Sequence, residues 1–214
     1  MPAVTWAQIG SFTAAAMALL LFPGPSVLFV VSRGIALGRR AALATVAGNT
    51  LGTGVHVIAV SVGVGAVVAR SVALFTAMKL VGAAYLIFLG LRAIRDRRHL
   101  AAALDTTVVP RSDRRLLRDG FIVGVSNPKT TLFFLAVLPQ FVRPEAGHPS
   151  LQLLALGMLF CVLAVINDGT YGVAAGSVGR WLERSPRRAA VIGGTSGVIL
   201  LGLGVRLALT GRRD

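Results

Sequence analysis

The sequence predicts an all-α membrane protein of six transmembrane helices arranged as two inverted three-helix repeats. Composition is the first reason: 55% of the 214 residues are hydrophobic and only 14% are charged, with a mean hydropathy of +0.76, well outside the range of soluble domains. Long apolar runs are the second. No charged side chain occurs from Met1 to Ser32, and Ala41 to Ala69 carries His56 as its only ionisable group. Each run exceeds the roughly 20 residues that a helix needs to cross about 30 Å of hydrocarbon. The third is a pair of matching interruptions, Pro23-Gly24-Pro25 in the first run and Asn127-Pro128-Lys129 in the fourth. Prolines at membrane depth are tolerated where the freed backbone groups face a cavity or a neighbouring helix.

The six spans cover about 7 to 31, 41 to 69, 71 to 92, 119 to 141, 150 to 178 and 189 to 206. The first is expected to be a retained span rather than a cleaved secretory signal, since it lacks a positive leading region, is too long, and is followed by further spans. The formal charge of +14 lies in the gaps between spans and does not form a nucleic-acid footprint. Gap one holds Arg33, Arg39 and Arg40; gap two only Arg70; gap three Arg95, Arg97, Arg98, Arg111, Arg114, Arg115 and Arg118; gap four only Arg143; gap five Arg180, Arg184, Arg187 and Arg188. By the positive-inside rule the odd gaps are cytoplasmic and both termini lie outside. Arg212 and Arg213 run against this orientation, but late charges weigh less than early loops.

Gap three is the only extended polar segment. It divides the chain into a first three-helix repeat (1–94), a basic cytoplasmic linker (95–117) and a second repeat (118–214). The halves echo one another. Pro23 is followed by Leu28-Phe29 and Pro128, at the same distance, by Phe133-Phe134; Gly82 and Gly90 frame a step ending in Leu89-Gly90, as Gly194 and Gly202 do with Leu201-Gly202. Because three is odd, the second half enters the membrane from the opposite side, and the repeat is inverted. Glycines at four-residue spacing (Gly48/Gly52, Gly120/Gly124, Gly172/Gly176, Gly193/Gly197) let helix backbones approach closely, either within one chain or between two copies in a homodimer.

Polar residues inside the spans mark the candidate site, because a charge at the bilayer centre is costly and faces a partner or water. At about 1.5 Å of rise per residue, Pro23 to Pro25 lie about 10 to 13 Å from the cytoplasmic ends of their spans, Asn49 about 12 Å, and Lys129 and Asp168 about 15 Å. They converge on one level. Lys129 and Asp168, of opposite sign on consecutive spans, are expected to form a buried ion pair. It either ties two helices together or switches, the carboxylate exchanging a proton or receiving a substrate ammonium while Lys129 or an exposed helix N-terminus holds a carboxylate. His56 reads as a packed neutral histidine, Lys79 as a snorkelling residue, Trp6, Tyr85 and Trp181 as interfacial or packing aromatics, and Asp119 as a helix N-terminal acid. The single Cys161 cannot form an internal disulfide, no Cys/His spacing resembles a metal site, and no cofactor is implied.

The run from Phe22-Pro23-Gly24-Pro25-Ser26 through Leu28, followed by Gly34, Gly38, Arg39, Gly48-Asn49 and His56, resembles the N-terminal half of the LysE/RhtB family of bacterial amino acid exporters. Lys79 through Gly82 and Tyr85 to Leu89-Gly90 is similar to that family's third span. Phe121 to Gln140, with Asn127-Pro128-Lys129 and Leu138-Pro139-Gln140-Phe141, is similar to its fourth. The resemblance implies a secondary transporter in the bacterial cytoplasmic (inner) membrane that exports amino acids or their derivatives, driven by an ion gradient with the proton as coupling ion. Its candidate transport residues are Pro23, Gly24, Pro25, Ser26, Asn49, Asn127, Pro128, Lys129 and Asp168, the last matched by position in the fifth span alone. Two other classes compete. A divalent metal-ion exporter of the same superfamily would want in-span Cys, His or Asp, which are scarce. A membrane-embedded enzyme would want clustered acids, His pairs or an activated nucleophile, and only Asp168 and His56 lie within the spans.

Overall fold

The computed structural model describes residues 4–21, 23–70, 112–183 and 185, with single positions scattered through 76–95 and 191–209; for 64–70 and 176–183 it describes the backbone alone. Most of the expected third and sixth spans and most of the connection between the halves lie outside the described residues. So do Lys79, Tyr85, Gly82, Gly90, Gly193, Gly194, Gly197 and the side chain of Trp181.

All regular structure among the described residues is helical. Helix α1 (Trp6–Leu20) opens on a capping box in which the Thr5 side chain accepts from the Gln8 N–H and the Gln8 side chain accepts from the Thr5 N–H. The chain breaks at Pro23 and restarts as α2 (Pro25–Leu37), with Gly24 as N-cap and Pro25 in the first turn, where its missing N–H costs nothing. Gly38 ends α2 at φ +85°, a left-handed conformation that glycine adopts without strain, and α3 (Arg39–Arg70) follows directly. Helix α4 (Asp113–Val125) stops at Ser126-Asn127. A short α5 (Pro128–Leu132) runs on through a π turn (Phe133–Val137) and a 3-10 turn (Leu138–Phe141). After a further 3-10 turn (Pro144–Ala146), α6 covers Pro149–Glu183.

Two helices are long and apolar enough to cross a membrane, over Arg39–Gly63 and Pro149–Ala175; the bent pairs α1–α2 (59°) and α4–α5 (44°) raise the number to four if each is one span. Contacts at the two ends show how each pair runs relative to α6. At one end Arg40 pairs with Asp113, and Gly34 lies against Ala175 and Gly172. At the other, the Gln8 amide donates to the Phe141 carbonyl and to Gln152. Each pair therefore runs the length of α6 in one direction, and the two pairs run oppositely to one another.

Asp119, expected to begin the fourth helix, lies in its second turn. Ser112 is the N-cap, Asp113 is the first-turn acid, and Asp119 contacts Arg118 at 3.6 Å. Helix formation reaches back into polar sequence because Asp113 favours the N-terminal dipole and finds Arg40 across the interface at 2.6 Å.

The core depends on closely packed backbones. Gly48 and Gly52 of α3 interlock with Gly120 and Gly124 of α4: a Cβ on Gly52 would lie 2.5 Å from the Phe121 carbonyl oxygen, and Cβ atoms on Gly48, Gly120 and Gly124 would collide with the carbonyls of Leu117, Thr45 and Asn49. These four glycines are taken up by packing between α3 and α4 of the same chain. Toward the far end an aromatic cluster fills the interior, with Phe133 and Phe134 packed on Phe160 at 5.3 and 4.9 Å and Phe12 on Phe141 at 5.4 Å. His56 stacks on Phe134 and its Nε2 lies 3.0 Å from the Thr131 hydroxyl, as a packed histidine should.

Substituting Gly124→Val should destabilise the detergent-solubilised protein by about 1–3 kcal/mol or more, as overpacking does. Gly54→Ala, where a Cβ meets nothing within 4 Å, should leave the unfolding midpoint unchanged. Equal behaviour of the two in a thermal melt would refute the interlocked packing.

Candidate functional site

The break after α1 frees its last carbonyls, and in a membrane interior these must be satisfied by the protein itself. Three consecutive ones are. Leu19 accepts from Lys129 Nζ at 2.6 Å, Leu20 from the Asn167 amide at 3.0 Å, and Leu21 from the Tyr171 hydroxyl at 3.0 Å. Placing an ammonium against the C-terminal end of a helix is favoured by the dipole as well as by the hydrogen bond.

The second break is held by the first. Asn127 caps α5 by accepting from the Lys129 N–H at 3.1 Å, and its amide donates to Ser26 Oγ at 2.7 Å, joining the two interruptions directly. Gly24 makes room for the Lys129 stem: a Cβ there would stand 3.3 Å from Cδ and 3.6 Å from Nζ. On the facing wall, α6 presents Asp168, which is 4% exposed. One carboxylate oxygen accepts from Asn167 and the other from Asn49, each at 3.1 Å.

These groups enclose a cavity of about 30 Å³, room for a water molecule or two and far less than an amino acid. Of the nine sequence candidates, Gly24, Ser26, Asn49, Asn127, Lys129 and Asp168 line it. Pro25 and Pro128 are exposed and Pro23 is half-buried, so the prolines shape the breaks without lining the space.

The expected Lys129–Asp168 ion pair is not formed among the described residues. Both ions line the cavity, but Lys129 turns to the Leu19 carbonyl and Asp168 to two amides. The reason is local supply. Broken-helix carbonyls and in-span asparagines offer each ion dipoles at shorter range than the opposite charge does, and turning Lys129 away would take its donor from the Leu19 carbonyl. Sequence reasoning missed Asn167 and Tyr171, which share the α6 face with Asp168, and Thr53, one turn beyond Asn49. A polar residue next to Asp168 in an otherwise apolar span was the available signal.

The family described as LysE type translocator matches this chain over residues 17–211. The chain belongs to that family. Its members are translocators, not enzymes. A membrane protein of Vibrio cholerae serotype O1 with no assigned activity is 35% identical over 90% of this chain and 92% of its own length. The homoserine/homoserine lactone efflux protein of Salmonella typhimurium is 33% identical over 89% of this chain and 90% of its own. The leucine efflux protein of Klebsiella pneumoniae is 25% identical over 92% and 93%. No solved structure matches the chain.

The join between the breaks has a measurable strength. Asn127→Ala removes the cap and the Ser26 bond together and should cost about 1–2 kcal/mol of stability in detergent. Asn127→Asp keeps an acceptor for the Lys129 N–H and should recover most of it. An alanine variant as stable as the parent would mean that this contact does not hold the two breaks.

Proposed function

We propose that this LysE-family protein is a secondary transporter that exports amino acids or amino acid derivatives from the cytoplasm by alternating access, coupled to the proton gradient. The observation that carries the reading is the buried polar cavity where two oppositely running broken spans meet, with a cation on one wall and a carboxylate on the other. The named efflux proteins for homoserine, homoserine lactone and leucine support the cargo class.

In this reading the chain forms six spans in two inverted halves, 1–94 and 118–214, joined by the basic linker 95–117. Two facts support the inversion: the α1–α2 and α4–α5 pairs run in opposite directions, and their breaks lie side by side. Arg40 and Asp113 at one end, with the start of α1 at the other, support basic gaps one and three on the cytoplasmic side of the inner membrane and an N-terminus outside.

The cavity is too small for cargo, so entry requires the two broken spans to separate. Substrate arrives from the cytoplasm, its ammonium meeting Asp168 and its carboxylate meeting Lys129 or the first-turn N–H groups of α2. Asp168 also exchanges the coupling proton. Metabolite profiling of cells lacking or overproducing the protein, fed with dipeptides, should reveal an amino acid that accumulates only in its absence. Lys129→Ala should abolish that efflux while the protein still inserts at parental levels. Normal efflux by a well-expressed variant would remove Lys129 from the mechanism, and efflux of a divalent metal in place of an amino acid would overturn the reading.

A further inference from the structure

We infer that His56 is a positioning residue that carries the second broken span across its interruption, so that α5 stays with α3 and α4 while the first broken span is the part that separates. This rests on the export reading above and adds which of the two spans moves and which side chain decides it.

The argument starts from one face of α3. Gly48, Gly52 and His56 stand four residues apart and therefore share it. Along that face α3 is continuous while its neighbour is not. Gly48 meets Leu117 and Phe121, and Gly52 meets Phe121 and the last turn of α4, where a Cβ would stand 2.7 Å from the Val125 nitrogen. One turn further on, the His56 ring lies against the backbone of Val125, the end of α4, and its Nε2 is 3.0 Å from Thr131 Oγ1 on α5. The ring thus reaches both sides of the break.

The bond to Thr131 has one consistent direction. Thr131 Oγ1 is also 2.9 Å from the Asn127 carbonyl, four residues back. A hydroxyl has a single proton and a carbonyl has none to give. Both contacts are hydrogen bonds together only if His56 Nε2–H donates to Thr131 and Thr131 donates to Asn127. Stacking on Phe134 holds the ring in place. Asn127 caps α5, so the chain of bonds that starts on α3 ends at the break itself.

The ties to the first broken span are of a different kind. Lys129 Nζ to the Leu19 carbonyl and Asn127 Nδ2 to Ser26 Oγ are single bonds between residues that line the cavity, and cargo entry must part them. Once they part, His56 keeps the first turn of α5, and Lys129 with it, on α3. Without that hold α5 follows α1 and α2, and the breaks do not open. In the closed state both ties remain, so losing the His56 bond costs little stability while transport falls.

The test uses the full-length protein in proteoliposomes, with the twenty common L-amino acids and homoserine as probes, and thermal melts in detergent. His56→Phe keeps the ring and loses the nitrogen. It and Thr131→Val should each slow transport about tenfold, the scale of one hydrogen bond, with the double variant no slower than either. Their melting temperatures should stay close to the parent's. His56→Gln, whose amide N–H can reach the hydroxyl, should recover most of the rate. In a Cys161→Ala background, His56→Cys/Thr131→Cys should be slow when reduced and regain transport when a short bis-thiosulfonate linker bridges the two thiols. Transport abolished by the bridge, His56→Gln no better than His56→Phe, losses that multiply in the double variant, or melts that fall along with the rate would overturn the assignment while leaving amino acid export standing. A parent that transports none of the probes would overturn both. The His56→Gln comparison decides the matter even if the cysteine pair fails to fold.

Discussion

A helix opened inside a membrane must find new donors for the carbonyls it releases, and that requirement organises the interior of this protein. Breaking α1 before Pro23 frees Leu19, Leu20 and Leu21, and the three donors that answer come from elsewhere in the chain: Lys129 beyond the second break, Asn167 and Tyr171 on α6. The same bonds bring a cation and a carboxylate into one cavity. A polar cavity among these spans is thus a by-product of satisfying backbone.

Two features hold this arrangement in place. Near the basic end, interlocked glycines of α3 and α4 bring backbones so close that Asn49, within the zipper, is delivered to the cavity wall by a helix that cannot rotate. At the far end, Gln152 is fully buried, receives Gln8 and the Arg143 N–H, and donates to the carbonyls of Arg143 and Gly147. That network joins the starts of α1 and α6 to the end of the second broken span. The cavity lies between these two anchors, at the breaks, where the helices can bend with least loss of hydrogen bonding.

Much of this was legible in the sequence, and for identifiable reasons. The described spans follow from the length of uncharged sequence, the breaks from proline chemistry, and the close packing of Gly48, Gly52, Gly120 and Gly124 from their four-residue spacing. Estimated depth placed Asn49, Lys129 and Asp168 at one level, and they do share a cavity. The ion pair was the wrong partner choice, because depth says how far a residue lies along the membrane normal and nothing about its direction around the helix. Spans that are apolar all round carry no periodic signal of that direction, so Asn167 and Tyr171 read as incidental polar residues.

The sequence by itself determined that this chain crosses a membrane, where two of its spans must bend, and which residue types are buried at that depth, since these depend only on transfer free energy and on the missing N–H of proline. Tertiary structure alone decided which donor meets which acceptor: that Lys129 takes a backbone carbonyl, that Asp168 takes two amides, and that Asn49 turns its nitrogen to Asp168. Hydrogen bonds are directional and short in range, so their pairing is settled by helix rotation and contact, which hydropathy does not encode.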